Sequence, residues 1–182
     1  MLANSEIRYG LLSRAIHGIM LLLIFGMLGV GMYMADLDDT DELRKVLLGI
    51  HTSTGVLVLL LAVIRVVWLR ISPAPLLPAL LENWEKTLTT LVKSLMYLLM
   101  LLIPIIGILM VNTKGDAVSI YGLFDIPMLT GEHKELSEWL EDIHAFLAYS
   151  LLFLVILHIA GALKHRFFDM GNDLDVMKRM FG

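Results

Sequence analysis

The chain holds six histidines and no cysteine. Two of the histidines, His144 and His158, stand fourteen residues apart within "EDIHAFLAYSLLFLVILHIAGALKH". At 100° per residue, fourteen steps return to within about 40° of the starting face and climb about 21 Å. One helix would therefore present two imidazoles on one side, at two depths. Imidazole binds metals and moves protons near neutral pH, so both chemistries are open. The missing cysteines remove disulfides, iron–sulfur clusters, thiolate metal sites and cofactor attachment through C-x-x-C-H.

The solvent around that helix decides what its histidines can do. Hydrophobic residues make up 58% of the 182 positions, and the mean hydropathy is +0.79. Four apolar runs, about 11–34, 46–69, 88–111 and 146–163, approach or exceed the ~20 residues that cross a bilayer. The first run is too long for a cleavable leader, lacks an A-x-A-like site and carries His17, which argues against a signal peptide. Twelve methionines suit a lipid-facing or adaptable core. A net charge of −4 gives no sign of nucleic-acid binding. The expected fold is all-α, an integral membrane four-helix bundle in one domain over 1–182, with helices at about 9–34, 43–70, 86–111 and 136–166.

Basic residues collect on the cytoplasmic side of membrane proteins. Arg8 and Arg14, the group Arg65, Arg70, Lys86 and Lys93, and the C-terminal Lys164, Arg166, Lys178 and Arg179 fall on one side. Only Arg44, Lys45, Lys114 and Lys134 fall on the other, together with twelve of the eighteen acids. Both termini are expected in the cytoplasm. Ser72-Pro73 should end the second helix, because a residue before proline avoids helical geometry. Pro104 lies inside the third helix. "VSIYGLFDIPML" in the third connection reads as a short interfacial segment on the membrane.

Depth then pairs the histidines. His17 enters at the inner end of helix one, level with His158, while His51 enters at the outer end of helix two, level with His144. Each couple comes from two helices and can face across the interior. Haem iron takes two axial nitrogens from opposite sides, and bundle interiors house such cofactors. Zinc wants four ligands, and a proton relay favours carboxylates, yet no Asp or Glu lies at lipid depth. The expectation is two haems, held by His17 and His158 at the inner level and by His51 and His144 at the outer. The bland alternative for any one histidine is a neutral ring bonded to a neighbouring helix. A cofactor-free transporter or channel is the alternative for the whole.

Small residues near the ligands, Gly55, Ala148 and Gly161, make room for a flat macrocycle or serve ordinary helix packing. Arg65, fourteen residues after His51, either meets a haem propionate at the inner level or snorkels to the interface. Arg14 and Lys164 are weaker candidates for the same contact. His165 lies on the face of His158, lining an inner pocket or sitting among headgroups. His133 belongs to a polar loop and is expected in solvent.

The stretches "RYGLLSRAIHG", "LLGIHTSTGVLVLLLAVIRVVWLRISPAP", "YLLMLLIPIIG" and "DIHAFLAYSLLFLVILHIAGALKHRFFD" resemble the bacterial cytochrome b561 family of four-helix dihaem membrane proteins. The resemblance covers nearly the whole chain and includes the ending "LDVMKRM". It implies two b-type haems on the matching positions His17, His51, His144 and His158. It also implies electron transfer at the bacterial inner membrane, with ubiquinone as substrate and, in some members, superoxide as donor. A quinone would then sit near His165, Lys164 and Lys93. Members often carry histidine where this chain has Lys93, four residues before Tyr97. The acidic outer face departs from the positive mouth that would steer an anion; a local cluster of Arg44, Lys45 and Lys114 could provide one, but the overall field would repel superoxide. Partners expected are lipid, quinone and a periplasmic electron-donor protein. The alternative is a haem-bearing membrane anchor that relays electrons to or from a separate, hydrogenase-like partner.

Overall fold

The computed structural model describes residues 1–168 and 175–181; residues 169–174 and 182 of the expected domain lie outside that description. Four long helices dominate: α1 (Leu11–Ala35), α2 (Glu42–Ile71), α3 (Asn83–Thr113) and α4 (Lys134–Phe167). Each is long and apolar enough to cross a membrane. A two-stranded hairpin, β1 (Val118–Ile120) and β2 (Phe124–Ile126), connects α3 to α4, and a short α5 (Val176–Phe181) follows.

Local chemistry sets the helix ends. Asp41 caps α2 by accepting from the amide of Leu43 at 2.8 Å. At α3, the Glu82 amide donates to the Glu85 carboxylate at 3.1 Å, satisfying an end-of-helix donor that lipid would leave bare. The α2 helix stops at Ser72, before Pro73. Ser72 then accepts from the Asn4 amide at 2.8 Å, which ties the N-terminal segment to the end of α2.

The core is a narrow seam. Ile16, Met20 and Ile24 of α1 meet Ala62 of α2, Val92, Leu99 and Met100 of α3, and Leu151, Leu154 and Val155 of α4. Large apolar side chains such as Leu22, Leu60 and Phe153 point outward and are more than half exposed. Water would penalise that surface, whereas lipid tails solvate it as readily as a neighbouring Leu. The closely packed neighbours are α3 with α4, α1 with α2, and α2 with α3. Among the described residues α4 keeps its backbone farther from α1 and α2 than from α3, and the facing histidines lie across that wider spacing.

The third connection takes a form that its apolar content does not reveal. "VSIYGLFDIPML" contains a β-hairpin, with Val118 opposite Ile126 and Ile120 opposite Phe124. Tyr121 (φ 51°) and Gly122 (φ 70°) both turn left-handed, and the Leu123 amide closes the turn on the Ile120 carbonyl at 2.9 Å. Two left-handed central residues suit the right-handed twist of a tight hairpin. Ser53 of α2 binds it in place. Its hydroxyl donates to the Ser119 carbonyl at 2.9 Å and accepts from the Tyr121 amide at 3.0 Å. Thr54 and the Tyr121 hydroxyl add a bond of 2.9 Å. Because Ser53 lies two residues beyond His51, the hairpin reaches the depth of that histidine.

The opposite end is closed by the chain termini. The Leu76 amide donates to Glu6 at 3.1 Å and the Tyr9 amide to Arg179 at 3.0 Å. Arg179 in turn donates to the Leu76 carbonyl at 2.5 Å. Gly10 is required in this layer, since a Cβ there would stand 2.3 Å from the carbonyl oxygens of Leu2 and Ala3.

Candidate haem sites

The structure brings the four histidines into two facing couples. The ring centres of His17 and His158 are 6.5 Å apart, and those of His51 and His144 are 6.2 Å apart. The first couple lies toward the termini and is called proximal. The second lies toward the hairpin and is called distal. Two metal–imidazole bonds of about 2 Å each and two ring radii of about 1.1 Å each would put the centres of two imidazoles on one metal about 6.2 Å apart. Both couples stand at that separation. Among the described residues no third His, Cys, Asp or Glu joins either couple to make a metal-binding group. Two imidazoles alone are a poor zinc site, whereas a porphyrin brings its own four equatorial nitrogens and needs two from the protein. The residues present therefore fit haem.

One spacing places all eight residues that frame the couples. His17 and Gly31 on α1, His51 and Arg65 on α2, Lys93 and Gly107 on α3, and His144 and His158 on α4 are each fourteen residues apart. Each helix thus supplies one residue per level on one face. The proximal level receives two histidines and two cations, and the distal level two histidines and two glycines.

At the distal level the glycines seat the rings. A Cβ on Gly31 would stand 3.2 Å from Cε1 of His51, and one on Gly107 would stand 3.2 Å from Cε1 of His144. The missing side chain at Gly107 also opens the carbonyl one turn earlier. Nδ1 of His144 lies 3.1 Å from the Ile103 oxygen. A carbonyl only accepts, so Nδ1 carries the proton and Nε2 keeps the lone pair that a metal needs. Nδ1 of His51 is buried and has no hydrogen-bond partner among the described residues.

At the proximal level Arg65 turns inward rather than to the interface. Its Nε donates to the Tyr97 hydroxyl at 3.0 Å, its Nη2 lies 3.2 Å from Nδ1 of His17, and its Nη1 reaches the Met20 sulfur at 3.9 Å. A guanidinium only donates, so Nδ1 of His17 accepts in this contact, and His17 frees Nε2 for a metal when that one contact is given up while Tyr97 keeps Arg65 at this level. Lys93 is half-buried, and its place fourteen residues before Gly107 puts it at this level of α3. Outside the membrane helices, Tyr9 completes this end. Burial raises its phenol above the ordinary range, nearby Tyr97 adds to that, and the charges of Arg65 and Arg179 oppose it.

The remaining expected residues fall as follows. Gly55 is buried, but its face meets Met27 of α1, 3.7 Å from where a Cβ would lie, so it serves the α1–α2 contact. Gly161 faces open space, with nothing within 4 Å of where its Cβ would lie. His165 is buried, at 7% exposure. Lys164 pairs with Glu85 at 2.5 Å, and Glu85 is itself buried. This carboxylate sits in the first turn of α3, just outside the apolar run, where hydropathy alone did not mark it as interior. His133 is exposed and precedes α4. Gly31, Gly107 and Tyr97 do not stand out in the sequence, although the fourteen-residue step points at both glycines.

The comparisons with known proteins agree with this architecture. A family model described as prokaryotic cytochrome b561 matches residues 8–182. "Cytochrome b561 homolog 2" of Escherichia coli is 31% identical over 182 residues, covering 98% of this chain and 94% of that protein. "Probable superoxide oxidase CybB" of Yersinia pestis is 28% identical over 135 residues, covering 69% of this chain and 70% of that one. Four apolar helices, facing imidazoles in a seam and a family match over nearly the whole length lead to one conclusion: the chain belongs to the prokaryotic cytochrome b561 family, multi-pass bacterial membrane cytochromes that carry b-type haem and transfer electrons.

Proposed function

We propose that this protein is a dihaem cytochrome of the inner membrane, passing electrons between a donor on the periplasmic side and the ubiquinone pool. The observation that carries this reading is the pair of imidazole separations, 6.5 Å and 6.2 Å. His51 and His144 hold the distal haem, and His17 and His158 the proximal one. Bound there, each haem supplies a one-electron couple in a low-dielectric interior. The protein orients the imidazoles, excludes water and, at His144, fixes the tautomer through Ile103. The distribution of Lys and Arg supports placing the termini, and hence the proximal level, on the cytoplasmic side.

The hairpin end bears on the donor. Three of its four cations are paired with acids: Arg44 with Asp39 at 2.6 Å, Lys45 with Glu42 at 2.6 Å, and Lys114 with Glu141 at 2.8 Å. Cations matched in this way leave little positive field to gather an anion such as superoxide. This favours a neutral or basic donor, including a periplasmic redox protein, over the activity named for the Yersinia relative. On that reading the chain works as the membrane relay of a separate partner.

The test is optical. The purified chain should show a b-type α band on reduction and two haems per polypeptide by haemochrome assay. Adding superoxide, and separately a reduced periplasmic carrier, with and without ubiquinone, identifies the donor. A colourless protein, or one haem per chain, would refute the dihaem reading.

A further inference from the structure

We infer that Arg65 and Lys93 make the proximal site the electron sink of the pair, so that an electron shared between the two levels resides beside His17 and His158. The inference rests on the dihaem reading above and adds a direction to it.

Two imidazoles on a ferric porphyrin leave one net positive charge at the iron, and accepting one electron removes it. A fixed cation nearby disfavours the more positive form, and so favours reduction. At the proximal level Arg65 stands 3.2 Å from a ligand ring and is held there by the Tyr97 hydroxyl. Lys93 comes from the neighbouring helix at the same level. Each bound haem would bring propionates to its own level, and only the proximal level sets cations against them; among the described residues no Asp or Glu pairs with Arg65 or Lys93, and the buried Glu85 is engaged by Lys164. At an effective dielectric of about 20, charges this close are not screened out.

The distal level works the other way. Gly31 and Gly107 bring no charge. The Ile103 carbonyl accepts from His144, which makes that imidazole a stronger donor to iron and favours the oxidised form. One electron leaves the distal site and one arrives at the proximal site; no bond or proton has to move. The chain's own charges thus favour transfer from the hairpin end toward the termini.

Spectroelectrochemical titration of the purified, haem-loaded full chain tests this. Two one-electron steps should appear, separated by more than tenfold in reduction equilibrium constant, with tenfold equal to 59 mV. His51→Ala, which spares the proximal couple, should keep the upper step. Arg65→Gln should lower the upper step at least tenfold and leave the lower one in place, while Arg65→Lys should keep it near the parent value. Lys93→Gln, which leaves every hydrogen bond of Arg65 intact, should lower the same step by a smaller factor, and it carries the test should Arg65→Gln bind haem poorly. A shift of the lower step instead, or no shift in either Arg65→Gln or Lys93→Gln, would overturn the inference. Fewer than two haems in the parent protein would instead overturn the dihaem reading itself.

Discussion

The distal and proximal levels hold the same couple of imidazoles at nearly the same separation, inside different frames. At the distal level α1 and α3 contribute glycines, so each ring rests against bare backbone, and one of them bonds a carbonyl. At the proximal level α2 and α3 contribute Arg65 and Lys93, and the ring of His17 faces a guanidinium. Two helices in each layer set the ligand geometry, and the other two set its electrostatics. The lesson is that one repeated spacing can build two sites of equal shape and unequal chemistry.

The strongest way to break this comparison is to remove a ligand. His144→Ala should take the haem content from two per chain to one and spare the proximal site, and His158→Ala should do the converse, both read by haemochrome assay. Loss of both haems from either variant would show that the levels are not separate sites.

The next largest effect concerns the glycine seats. Gly107→Val should push His144 off the Ile103 carbonyl, at about 1–3 kcal/mol for overpacking, and release distal haem preferentially when the protein is titrated with an apo-haem acceptor. Gly161→Ala, whose new methyl meets nothing within 4 Å, should leave haem retention unchanged. Equal behaviour of the two variants would remove the glycines from the account of the distal site.

Smaller effects lie in the covers over each end. Ser53→Ala removes both hairpin bonds and should weaken its docking by about 1–2 kcal/mol. Faster amide exchange at Tyr121, with the proximal end unaffected, is the expected readout. At the other end, burial alone would raise the Asp175 carboxyl. Hydrogen bonds from Arg166 and the Lys178 amide, with the charges of Arg166 and Lys178, outweigh burial and hold it below the ordinary carboxylate range. A carboxyl lowered in the folded state stabilises fully above its unfolded value of about 3.9, and that contribution fades as pH falls through the folded value. Protection of α5 from proteolysis should therefore be flat from neutral pH to about pH 4 and decline below it. Asp175→Asn should show the loss at neutral pH.

Much of the site is readable in the chain as written. The four apolar runs follow from bilayer thickness, and the two couples follow from a fourteen-residue step read at matching depths. The same step marks Gly31 and Gly107, but glycine has no functional group to draw notice, and small residues nearer the ligands, such as Gly55, compete for the same role. The hairpin is legible too. "VSI" and "FDI" alternate around a Tyr-Gly turn, yet the apolar content of the segment suggests a surface-lying stretch.

Residue spacing along a helix determines angular phase and depth, because rise and rotation per residue are nearly constant. That is why the levels, the couples and the spans can be derived from the order of residues alone. Spacing does not say which helix stands opposite, nor where a long flexible side chain comes to rest. Arg65 is equally free, on spacing, to reach water or the interior, and only the packing of α2 between α1 and α3, with Tyr97 and His17 within hydrogen-bond reach, turns it inward. The same packing brings Gly107 under His144 and puts Lys164 on Glu85. Contacts between distant parts of a chain depend on the relative placement of whole helices, and that is decided by the tertiary fold.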